Sequence, residues 1–114
     1  MDFNVFRVVL TDAAVEFLRS IPEQARDKMN SNISRASKGE KNAEIFKKLH
    51  NTEIWEFRAE HRRISYRLFS FWDSEEEVVV VATHGIIKKT QKTPLKEIAR
   101  AEAIRKEYFR MKNR

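Results

Sequence analysis

The hydrophobic period changes along the chain, and those changes mark its elements. Residues 3–10, FNVFRVVL, are rich in Phe and Val and read as a first strand. From Thr11 the spacing becomes helical. In DAAVEFLRSI the buried stripe is Ala14, Phe17, Leu18 and Ile21, with Thr11 as N-cap and Asp12 and Glu16 towards the positive helix end. Pro22 suits the first turn of a second helix that buries Ala25, Met29, Ile33 and Ala36, and Gly39 is a natural stop. Together they predict a helical hairpin.

The second half reads mainly as strands. AEIFKKLHN is a short strand or an irregular edge. EIWEFRAE alternates, with Ile54, Glu56 and Arg58 on one side and Trp55 and Phe57 on the other. RRISYRLFSFW sets Ile64, Tyr66 and Leu68 opposite Arg63, Ser65 and Arg67. VVVVAT, beyond the acidic turn DSEEE, does not alternate, which predicts a strand buried on both faces. AEHR and DSEEE are short enough for hairpins, so an antiparallel meander is expected. Thr93 and Pro94 then read as N-cap and first position of a helix over 94–112, with Leu95, Ile98, Ala101, Ile104, Tyr108 and Met111 as its stripe. The expected fold is α+β, of order β-α-α-β-β-β-α: one domain over 1–114, an antiparallel sheet packed by an N-terminal helical hairpin. The other sheet face is left partly open, and its lining matters for function.

With 114 residues the chain can bury one core without staples, and the absence of cysteine excludes disulfides and thiolate metal sites. The N-terminus does not resemble a signal peptide and no segment approaches membrane-spanning length, so a cytoplasmic location without a membrane partner is expected. The net charge is +6 and unevenly placed. Residues 1–83 carry 13 Lys/Arg against 14 Asp/Glu, whereas residues 84–114 carry 10 against 3. Such polarity attracts polyanions, nucleic acid first and an acidic protein second.

Glu56 and Arg58 share a strand face, the hairpin can bring Arg63 beside them, and His84, Lys88 and Lys89 leave the end of the neighbouring strand. At a surface these are ordinary cross-strand pairs and a loop histidine. As a set they suit phosphodiester cleavage in RNA, where the 2′-OH is the nucleophile. The protein then has only to move protons and hold charge. Lysine among cations loses affinity for its proton, and arginine grips phosphate in a bidentate way. No metal or other cofactor is expected: His50, His61 and His84 are far apart in sequence, and no HxxxH, glycine-rich phosphate loop or serine motif is present. His50 and His61 read as surface residues.

LHNTEIWEFRAEHRRISYRLF followed by THGIIKKTQKTPLKEIARAEAIRKEY resembles the RelE/ParE superfamily of type II toxins, in its HigB-like, phage-derived branch. The match spans about residues 45–108, and KKTQKTP with the following EI..A is its most specific part. The resemblance implies an endoribonuclease, a ribosome-dependent mRNA interferase. Its partners would be mRNA, the ribosome and a cognate antitoxin, usually a helix-turn-helix protein through which DNA is contacted indirectly. It implies catalytic roles for Arg58, Arg63, His84 and Lys88: Arg63 as holder of the scissile phosphate, His84 as proton carrier. Arg62, Lys89 and Lys92 would contact RNA. Tyr66 matches a tyrosine of the pattern, but its alternation places it in the core. Arg62 stands where an aromatic or small residue is usual and could substitute for Arg63; Ile86 replaces a usual phenylalanine. The alternatives are a ParE-like gyrase inhibitor and a degenerate basic nucleic-acid-binding module.

Overall fold

The computed structural model describes residues 4–76, 78–89 and 92–114. The elements are β1 (Arg7–Leu10), α1 (Asp12–Ser20), α2 (Glu23–Ser37), β2 (Phe46–Lys48), β3 (Trp55–His61), β4 (Ile64–Trp72), β5 (Val79–Lys88) and α3 (Leu95–Lys112). They build one five-stranded sheet in the order β1-β5-β4-β3-β2. The loosely read segment after Glu44 does contain a strand, β2, which pairs antiparallel with β3 at the sheet edge. The sheet is mixed where a purely antiparallel one was expected, because β1 runs parallel to β5. The antiparallel β3-β4-β5 meander returns the valine run to the interior, and β1 closes on its outer side. The described part of the first strand is shorter than expected, and Phe3 lies outside the described residues.

α1 and α2 cover one sheet face, as their spacing predicts. Ala14, Leu18, Ile21, Ala25, Met29 and Ala36 pack there on Phe57, Ala59, Tyr66, Leu68, Val80 and Ala82. The Thr11 hydroxyl accepts from the Ala14 N–H at 3.2 Å, which makes it the cap of α1, and donates to the Thr83 carbonyl at 2.6 Å. Pro22 sits one position earlier than read, as the residue before α2, and α2 ends against Gly39, whose φ of +102° suits a residue without Cβ. Val80 and Ala82 point to this face while Val79 and Val81 point to the other, so the valine run is buried on both sides.

The second face carries Ile54, Phe69, Phe71, Val79 and Val81 under α3, so it is partly covered. The stripe read for α3 is wrong at both ends: Leu95 is 82% exposed and Met111 49%. Ala101 alone is fully buried in α3, with Tyr108 and Phe109 half-buried beside Phe71. Polar ties do the rest. Asp73, fully buried, accepts from the Tyr108 hydroxyl and the Lys112 ammonium, each at 2.6 Å. Burial pushes this carboxyl up, but bonds from Lys112, Tyr108 and the Glu75 and Glu76 N–H groups overcome it and hold it at about 2.

The β3–β4 hairpin pairs His61 with Ile64, leaving Arg62 and Arg63 as its two turn residues, at φ of 51° and 66°. Both are in the left-handed region that such turns require and that favours Asn or Gly. Arg63→Gly should therefore raise stability by about 1 kcal/mol. The check is a higher urea midpoint at unchanged m.

Candidate functional site

The β3–β4 register sets Arg58 directly opposite Arg67 and Glu56 opposite Phe69, all on the α3 side of the sheet. Like charges facing each other across strands repel. Glu56, only 2% exposed, supplies the counter-charge: its Oε1 stands 3.8 Å from Arg58 Nε and 3.6 Å from Arg67 Nε. Those separations allow attraction but not hydrogen bonds. Each arginine uses another nitrogen elsewhere. Arg58 Nη1 donates to the Ala43 carbonyl at 3.1 Å and Arg67 Nη1 to the Tyr66 carbonyl at 3.0 Å. Both Nε atoms are buried without a hydrogen-bond partner among the described residues. Arg58 and Arg67 line a cleft of about 470 Å³ together with Asn32, Arg35 and Glu60.

A bulge in β5 completes the set. Leu68 pairs with Gly85 and Ser70 with Ala82, so Thr83 and His84 together face Phe69. The extra residue reverses the alternation of everything after it. Gly85 turns to the hairpin side, where a Cβ would lie 2.2 Å from the Phe17 ring. Ile86 comes opposite Arg67, and Lys88 opposite Ser65. Lys88 is thereby placed on the arginine face. Burial lowers its pKa, Glu56 opposes that, and Arg67, Arg58 and Lys47 lower it further. Lys47 stands opposite Glu56 on β2. Thr93 is not the cap of α3; Pro94 occupies that position, and the Thr93 hydroxyl donates to Glu56 Oε2 at 2.7 Å.

His84 belongs to a different structure. It is 2% exposed and packed on Phe69 with the rings tilted by 34°, with Nδ1 3.0 Å from the Thr83 hydroxyl and Nε2 3.2 Å from Glu97 Oε1. A carboxylate only accepts, so Nε2 carries the proton; Nδ1 then shares the Thr83 hydroxyl proton with the Phe69 carbonyl, which lies 3.4 Å from that oxygen. Both nitrogens are spent on protein partners. Of the residues read as catalytic, the fold brings Arg58 and Lys88 together. Arg63 and Arg62 are exposed at the hairpin tip, with Arg63 four residues, or roughly 13 Å, beyond Arg67 along β4. Lys89 is exposed just past β5 and Lys92 is exposed before α3, while Thr90 and Gln91 of the KKTQKTP motif lie outside the described residues. Arg67 was missed as a site residue, although its alternation already placed it with Arg63 and Ser65; its pairing with Arg58 decides its importance. Tyr66 is core, as expected. Among the described residues no three His, Asp or Glu side chains converge as a metal site.

The family model described as phage-derived protein Gp49-like matches residues 16–106. The chain belongs to that family. A comparison with curated protein sequences finds no match. Among solved structures, this Gp49-like chain is similar to a mutant of Escherichia coli toxin RelE in the free state, at 17% identity and a TM-score of 0.53, over 73% of this chain and 82% of that one. The fold is thus RelE-like, and the phage-derived branch named from the KKTQKTP segment is the right one.

Burial, then Arg100, lowers the His84 pKa against the opposing pull of Glu97. A folded imidazole that binds protons less readily than the unfolded one contributes fully above the ordinary value of 6.5 and loses stability as pH falls below it. The Gp49-like chain should lose stability as the pH falls below 6.5, and His84→Gln should flatten that slope. Thermal midpoints across this range check it.

Proposed function

We propose that the chain is the toxin of a type II toxin–antitoxin pair and a metal-independent endonuclease that cuts mRNA on the ribosome. The supporting observation is the pair of opposed arginines, each with a buried Nε lacking a partner, beside a lysine of lowered proton affinity. Two guanidiniums held side by side, with more positive charge around them than Glu56 can balance, are suited to a phosphodiester. Lys88 in its neutral form takes the proton of the 2′-OH. The O2′–P bond forms, the P–O5′ bond breaks, and the ammonium returns the proton to the departing O5′. Arg58 and Arg67 stabilise the charge that grows on the phosphorus oxygens. Glu56 keeps the arginines aligned, and Thr93 keeps Glu56 aligned. His84 is a positioning residue in this reading, and Arg62, Arg63, Lys89 and Lys92 steer RNA and ribosome towards the cleft. A cognate antitoxin, usually a helix-turn-helix protein, would neutralise the toxin by laying an acidic segment over the same cations.

Cleavage mapped on translated mRNA should fall at least ~10²-fold in Arg67→Ala and only a few-fold in Arg63→Ala. Fragments should carry 5′-hydroxyl ends. Fragments with 5′-phosphates contradict attack by the 2′-OH, and gyrase inhibition without any cleavage contradicts the nuclease altogether.

The cleavage rate should rise with pH until Lys88 is deprotonated, at a value below the 10.5 of a free lysine. Lys88→Arg keeps the charge but cannot serve as base, so it should lower the rate roughly 10²-fold and abolish the rise. Single-turnover rates against pH measure both.

A further inference from the structure

A second concavity lies across the β2 edge from the arginines, on the hairpin side of the sheet. It measures about 520 Å³, and its lining is mostly apolar. Phe46 stacks on Phe57 at 4.3 Å and on Trp55 at 4.7 Å, and Trp72 meets Trp55 edge-on at 6.3 Å. Phe46, Trp55 and Trp72 all remain partly exposed. Three exposed lysines, Lys41, Lys47 and Lys48, line the same concavity, while the Glu40 carboxylate there is already bound by Arg35. Apolar faces within a cationic rim are the combination that single-stranded nucleic acid requires: π surfaces for bases, ammonium groups for phosphates.

We propose that this concavity is a stacking subsite for a base of the RNA strand flanking the scissile bond. The register makes the connection. Lys47 stands opposite Glu56 and Lys48 opposite Trp55, so neighbouring residues of one edge strand serve the two faces. Asn42 lines both clefts. From Glu56 over β2 to its outer side is two strand spacings, roughly 10 Å, a span that one or two nucleotides cover. RNA held by the arginines can therefore turn over the short β2 edge, with Lys47 under its backbone, and seat a flanking base against Trp55 and Phe46. Stacking tolerates every base, so this subsite adds affinity and register without dictating sequence. The identity of the polymer rests on the proposed nuclease; the aromatic subsite does not.

The chain's two tryptophans both line the concavity, so intrinsic fluorescence reports its occupancy. The probe is a hexaribonucleotide with 2′-O-methyl riboses, which binds without being cut, followed by tryptophan emission and by polarisation of a 5′ label. Saturable quenching is expected at the concentration where polarisation rises. Trp55→Leu should weaken binding between roughly 5- and 150-fold. Lys48→Glu is at an exposed position, so it leaves the fold intact; it should weaken binding several-fold and steepen no thermal transition. Binding by polarisation without quenching overturns the subsite, as does equal quenching by an acidic peptide. Quenching without ribosomal cleavage preserves the subsite and removes the nuclease, whereas cleavage without quenching does the reverse.

Discussion

Two guanidiniums face each other across β3 and β4, and much of the surrounding structure serves to make that tolerable. Arg67 is 8% exposed, so its charge cannot be left to solvent. Burial, aided by Arg58, weakens its hold on its proton, and Glu56 and Glu60 offset this only in part. A single buried carboxylate, itself fixed by the Thr93 hydroxyl, sits close enough to compensate both arginines and too far to satisfy either Nε. Donors kept dry, charged and only partly compensated are what an anion-binding site needs before its ligand arrives. A well-packed apolar pair is often at least as stable as buried ions, so stability alone does not call for two arginines here.

The bulge opposite Phe69 decides what joins the arginines. A regular β5 would send Lys88 under the helical hairpin, where an ammonium has no place. The extra residue sends Gly85 there instead, against Phe17, and turns Lys88 to the cationic face. Side chains absorb the disturbance. Thr11 caps α1 and binds the Thr83 carbonyl, and His84 links the Thr83 hydroxyl to Glu97. The start of α3 is therefore tied to the sheet by Glu97 to His84 and by the preceding Thr93 to Glu56, and its end by Tyr108 and Lys112 to Asp73. A helix with so little apolar burial is held by these polar ties.

Much of this was legible from residue order, because periodicity records which face is buried. Ala14, Leu18, Ala25, Met29 and Ala36 lie under the hairpin where their spacing put them, Thr11 caps α1, and the unalternating valines occupy the sheet interior. What failed depended on partners distant in sequence. The parallel β1–β5 pairing is tertiary, and it made the sheet mixed. The α3 stripe failed at Leu95 and Met111 because polar anchors hold that helix in position. Arg63, read as the phosphate holder, lies at the hairpin tip at positive φ, and it is Arg67 that faces Arg58. His84, read as leaving the strand end, is instead buried within β5 with a hydrogen-bond partner at each ring nitrogen.

The centre of this reading is that the β3 and β4 arginines bind one anion together. Their buried Nε–H groups should give slowly exchanging signals in ¹⁵N-resolved NMR, apart from those of solvent-exposed arginines. Titration with a 2′-O-methylated RNA should shift the Arg58 and Arg67 Nε–H signals in parallel, to saturation at a common midpoint. Movement of the Arg63 signal while those two stay still would show that the strand binds at the hairpin tip, and would contradict the site described.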